Sequence, residues 1–132
     1  METFFKYQGL GNDFVVIDRR KSGEDVDAAL SRRVCDRHFG VGADGVLSIL
    51  PEAGTAGRMV VHNADGSIAE MCGNGLRCVV KYLAEADPAK PRVIDVATGA
   101  GVLNCEIGWR DGEVDTVTVA MGPARLEAPI LP

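Results

Sequence analysis

The chain has no basic excess: 14 lysines and arginines face 19 aspartates and glutamates, for a formal net charge of −5. Nucleic-acid surfaces normally carry a basic patch, so the spread of acidic residues argues against that class of partner. No apolar run reaches the length needed to span a bilayer, and the start lacks the charged-then-apolar pattern of an export signal, so neither a membrane nor secretion is expected. The four cysteines, Cys35, Cys72, Cys78 and Cys105, show no Cys-x-x-Cys spacing and are expected as free thiols in a reducing, cytoplasmic compartment. Neither His38 nor His62 has neighbours that suggest a metal, so no metal site is expected. The glycines around Asn74 lack the G-x-G-x-x-G spacing and its preceding strand, so no dinucleotide fingerprint is present.

What remains is one soluble domain's worth of chain, 132 residues, rich in strand signals. Phe4 to Tyr7 and Phe14 to Asp18 read as short strands separated by the Gly9-Leu10-Gly11-Asn12 turn. Between Val26 and Phe39, the residues Val26, Ala29, Leu30, Arg33 and Val34 follow a helical period, with Gly40 as its stop. Further strands are expected at Val46 to Leu50, Arg58 to His62, Val93 to Ala97, Val102 to Ile107 and Val114 to Ala120. The segment after Asn74 is different: Leu76, Cys78, Val79, Val80, Tyr82, Leu83 and Ala84 are apolar around most of a helix, while Arg77, Lys81 and Glu85 form one polar stripe. Such a helix is mostly enclosed, and the stripe is expected to be its solvated face, with Lys81 and Glu85 paired.

Cys72 stands immediately before a Gly-Asn-Gly turn and that helix. The first amides of a helix have no intrahelical acceptor and sit at the positive end of its dipole, so they favour a thiolate and can cradle a carboxylate. An unpaired cysteine is ordinarily a buried apolar residue, and Cys35, Cys78 and Cys105 are read that way. The surroundings of Cys72 set it apart. The run Asn63-Ala64-Asp65-Gly66-Ser67-Ile68-Ala69-Glu70-Met71-Cys72-Gly73-Asn74-Gly75-Leu76-Arg77-Cys78 resembles the active-site signature of the diaminopimelate epimerase family. Lys6 to Asp18, Arg37 to Gly45, Thr98-Gly99-Ala100-Gly101 and Met121-Gly122-Pro123 resemble other elements of that family, in order. The resemblance covers essentially the whole chain and the first half of the family's protein.

The resemblance implies an α+β fold, a mixed β-sheet half-barrel wrapped around a central helix. It implies inversion at the α-carbon of diaminopimelate, LL to meso, without pyridoxal phosphate or another cofactor. Two cysteines would face each other across the amino-acid substrate, one as thiolate base and the other as thiol acid. Cys72 matches the first, and Asn12, Asn63, Gly73 and Asn74 match positions that hold the substrate's carboxylate and amino groups. Gly45 matches a position where some members carry a substrate-contacting Gln, so only backbone is left there. His62 stands where the family usually has an aromatic residue and reads as a wall or core residue. The second cysteine belongs to the family's later half. The chain is therefore expected as an amino-terminal domain over 1–120 with 121–132 as a linker toward a second domain, inactive alone, and homodimeric when complete. Two other readings fit the sequence: another cofactor-independent racemase or epimerase on this scaffold, and a non-catalytic amino-acid-binding domain.

Overall fold

A computed structural model describes residues 5–8, 12–69, 73–121 and 126–130. The elements in chain order are β1 (Phe5–Gln8), β2 (Asp13–Asp18), α1 (Ala28–Cys35), β3 (Gly45–Leu50), β4 (Gly57–Asn63), β5 (Ile68–Ala69), α2 (Gly73–Ala86), β6 (Val93–Thr98), β7 (Gly101–Arg110), β8 (Glu113–Met121) and β9 (Leu126–Ile130). The described strands form one mixed sheet in the order β1-β2-β3-β4-β6-β7-β8-β9, with β5 pairing β4. The β2/β3 and β4/β6 pairs are parallel and the others antiparallel.

Alternation along the strands produces two apolar faces. Phe14 and Val16, Leu47 and Ile49, Met59 and Val61, Val96, Leu103, Cys105, Ile107, Val114, Val117 and Val119 share one cluster with Leu76, Val79, Val80 and Leu83 of α2. α2 touches β2, β3, β4, β6, β8 and β9. A single 14-residue helix reaches strands so far apart in the sheet only because the sheet curls around it, giving the half-barrel around a central helix. The intervening residues Val15, Ile17 and Val46 face outward, where Val34, Cys35 and Leu30 of α1 cover them.

Several expectations shift in detail. The helix expected across Val26 to Phe39 is the shorter α1, capped by Asp27, whose side chain accepts from the Leu30 N–H. It ends at Asp36, which adopts an extended ψ of 124°. Gly40 is not its stop; a Cβ there would lie 1.9 Å from the Arg33 carbonyl, so the glycine permits the loop to fold back against α1. β5 and β9 add strands that the sequence did not announce, and β9 lies within the stretch read as a linker. The Phe4 end of the first expected strand lies outside the described residues.

The polar stripe of α2 is solvated only in part. Lys81 and Glu85 pair at 2.5 Å as expected, and Glu85 also accepts from the Val114 N–H at 2.9 Å. Arg77, however, is 8% exposed. The correction has a physical source: α2 is wrapped far enough that even the stripe's first turn is covered. Tyr7 of β1 leans onto the same helix, where burial, with the negative charge of Glu85 added, pushes its hydroxyl up to about 12. Tyr82 completes the join, donating to Asp18 Oδ2 at 2.8 Å while Arg20 grips the same carboxylate.

Candidate active site

β2 and β3 run parallel and β4 runs against them, so the starts of β2 and β3 and the end of β4 lie at one end of the sheet. Asn12 precedes β2, Gly45 opens β3 opposite Phe14, and Asn63 closes β4 opposite Gly45. The start of α2 reaches the same end, because Asn74 Nδ2 donates to Asn12 Oδ1 at 3.3 Å across 62 positions of chain. Four of the expected site residues, Asn12, Asn63, Gly73 and Asn74, therefore belong to one end of the molecule. Cys72 lies outside the described residues; α2 begins at the residue that follows it.

Each residue is held by local chemistry. Asn63 sits in a tight turn: its N–H donates to the Ser67 carbonyl at 2.7 Å, its Nδ2 donates to Ser67 Oγ at 2.9 Å, and its carbonyl accepts from Gly66. Its Oδ1 has no partner among the described residues and faces an exposed turn, so it remains open as an acceptor. Gly73 occupies the first position of α2, and a Cβ built on it meets nothing within 4 Å. Packing against the described residues does not require glycine there. Gly45 is the reverse case. A Cβ on it would come within 2.8 Å of the His62 carbonyl and 3.5 Å of the Phe14 ring, so the position is enclosed between strands.

The sequence reading missed three residues that build this end. Asp44 Oδ2 accepts from the Asp13 N–H at 2.8 Å, while Arg37 donates to Asp44 Oδ1 at 3.1 Å and stands 3.6 Å from Asp13 Oδ2. This clamp ties the loop after α1 to the backbone that carries Asn12. Its signal was present, since Asp13, Arg37 and Asp44 all lie inside the family-like stretches, but their spacing alone gives no role. His62 is buried, as expected of a core residue, on the α1 side of the sheet. Asp25 Oδ1 accepts from Ser48 Oγ at 2.6 Å and from the Val26 N–H at 2.7 Å, and His62 Nε2 stands 3.0 Å away. Three polar groups thus converge on one carboxylate oxygen and fix the end of β4 just before Asn63.

Cys35, Cys78 and Cys105 are all buried. Burial pushes the Cys105 thiol up to about 12, with the Asp95 charge adding to it. Cys35 is also raised, by burial and by Asp44, against an opposing pull from Arg37.

The sequence profile of the family described as diaminopimelate epimerase matches residues 4–127. The chain belongs to the diaminopimelate epimerase family. It is 46% identical over 131 residues to the diaminopimelate epimerase of Synechococcus elongatus, covering 98% of this chain and 45% of that protein. The Synechocystis diaminopimelate epimerase is 43% identical over 132 residues, with 98% and 46% covered. The chain thus spans under half the length of these curated relatives. Among solved structures, a probable proline racemase from Agrobacterium radiobacter aligns with a TM-score of 0.71 at 18% identity, over 92% of this chain and 42% of that one. A hydroxyproline epimerase from Agrobacterium vitis gives 0.69 at 19%, over 91% and 41%. At such identities these neighbours show the shared fold, and they agree with a sheet curled around a central helix. Among the described residues no helix is long and apolar enough to cross a membrane.

Proposed function

We propose that this chain is the amino-terminal half of a cofactor-independent epimerase that interconverts LL- and meso-diaminopimelate, and that it supplies one of the two proton-transfer groups. The observation that carries the reading is the convergence of Asn12 and Asn74 at the open start of α2, directly after Cys72 in the chain. An α-proton beside a carboxylate is a very weak acid, so its removal needs both a base and stabilisation of the developing negative charge. The unpaired amides at the start of α2 serve the second need by receiving the substrate carboxylate. Asn12, Asn63 and Asn74 offer amide donors and acceptors for the carboxylate and the ammonium.

In this reading the Cys72 thiolate takes the α-proton from one face and becomes a thiol, while a thiol on the other half delivers a proton to the opposite face and becomes a thiolate. The proton count balances, and the reverse direction exchanges the roles. The second half follows this domain in the complete protein, which is a cytoplasmic homodimer. Diaminopimelate is preferred over the imino acids named for the structural neighbours because the relatives at 43–46% identity are diaminopimelate epimerases, whereas the neighbours share only the fold.

The test is α-hydrogen exchange in deuterated water with LL-diaminopimelate, using residues 1–132 alone and the complete protein. Exchange and inversion by the complete protein only is the expected result. Robust inversion by residues 1–132 alone overturns the half-site reading and points to a second base within the chain.

A further inference from the structure

Arg77 is the buried cation that the proposed mechanism does not use. It lies one turn into α2, four residues after Gly73, and is 8% exposed. Its Nε is fully buried without a hydrogen-bond partner, and its guanidinium makes no hydrogen bond or ion pair with a described residue. The nearest acidic member of its own stripe, Glu85, is already engaged by Lys81 and by the Val114 N–H. A guanidinium stays charged at any physiological pH, and leaving one of its N–H groups buried and unpaired is unfavourable. Ser31 Oγ and His62 Nδ1 are also buried without a partner among the described residues.

Helical side chains lean toward the helix N-terminus, so Arg77 leans toward the end of the molecule that holds Asn12, Gly73 and Asn74. A mostly buried guanidinium without a partner among the described residues marks one side of a contact whose other side is still to be supplied. The chain covers only 45% of the length of the Synechococcus elongatus relative, so the absent portion is large enough to be that other side.

We infer that Arg77 is a docking residue, whose guanidinium receives an aspartate or glutamate carboxylate from the second half of the complete protein in a fork-like pair. The pair joins the halves beside the cleft and holds the start of α2 at a fixed distance from the facing domain. The inference rests on the half-protein reading above, but its test does not depend on turnover.

The experiment measures thermal unfolding of Arg77→Met and Arg77→Lys in two contexts, residues 1–132 and the complete protein. In residues 1–132, Arg77→Met removes an unpaired cation and leaves the melting temperature unchanged or higher. In the complete protein it lowers the melting temperature by about 4 °C or more, and Arg77→Lys, which keeps the charge without the fork, lowers it less. Equal losses in both contexts overturn the inference by placing the partner inside this chain. So does the absence of loss in the complete protein. A complete protein with unchanged melting temperature but a tenfold higher KM also overturns it, because the carboxylate then belongs to the substrate. If the unaltered complete protein fails to exchange the α-hydrogen of diaminopimelate, the functional reading fails while the contrast in melting temperature still stands or falls separately.

Discussion

Replacing Gly73 by alanine separates stability from activity in a way the geometry makes quantitative. Gly73 is the first residue of α2, and a Cβ there meets none of the described residues within 4 Å. It is a helical position, so alanine adopts the same backbone without strain. The substitution reduces the freedom of the unfolded chain, which stabilises by about 0.5 kcal/mol and raises the melting temperature of a domain this size by about 2 °C. In the proposed mechanism, the same methyl group in the complete protein occupies the space through which the substrate carboxylate approaches the Gly73 and Asn74 amides. Displacing a reacting group by about 1 Å costs on the order of a hundredfold in rate, so a loss in kcat/KM of at least about tenfold, ~1.4 kcal/mol in the barrier, is expected. The assays are calorimetry on residues 1–132 and stereochemical inversion by the complete protein. A melting temperature lowered by several degrees shows that the space is not open. Activity within twofold of the unaltered protein shows that no ligand approaches Gly73, and either outcome refutes the reasoning.

Two further outcomes follow from the titrating groups. For Asp18, burial raises the carboxyl, but the Arg20 hydrogen bonds and the Tyr82 hydroxyl outweigh it and hold the group below its ordinary value. Its stabilisation is therefore present above the ordinary carboxylate range and lost as pH falls through the lowered folded value. Tyr82→Phe shrinks that contribution, so the acid-unfolding midpoint followed by circular dichroism should move to higher pH; an unchanged or lower midpoint contradicts the assignment. Iodoacetamide labelling of residues 1–132 across a pH series, read by peptide mass spectrometry, should modify Cys72 first and Cys105, whose thiol is pushed up to about 12, last. Earlier labelling of Cys35 or Cys105 contradicts the placement of Cys72 at a helix start.

The strands with dense β-branched runs, such as Phe14 to Asp18 and Val46 to Leu50, were legible because alternation and turn residues act locally. α2 was legible for the same reason, since its apolar residues go nearly all round. Arg77 was not. Its position on a polar stripe predicts water, and its burial comes from tertiary packing that a helical period does not encode. β9 was hidden by Pro129, which speaks against a strand, yet it pairs with Thr118 at the edge of the sheet, where a missing N–H is tolerated. At the site, the residue types at Asn63, Gly73 and Asn74 were readable from one contiguous motif. The approach of Asn12 to Asn74 was not readable from either residue's neighbours, because it depends on the parallel pairing of β2 with β3 and on where α2 enters the curled sheet. The Arg37–Asp13–Asp44 clamp is hidden for the same reason.

The central claim is that Cys72 performs one of two proton transfers at the α-carbon. It is tested most directly by deuterium incorporation into LL-diaminopimelate by the complete protein carrying Cys72→Ala. The account predicts a loss of inversion of about a thousandfold or more, within the range that a positioned acid or base contributes, with the melting temperature kept within about 2 °C of the unaltered protein. Inversion retained to within tenfold, in a variant that folds normally, would contradict it.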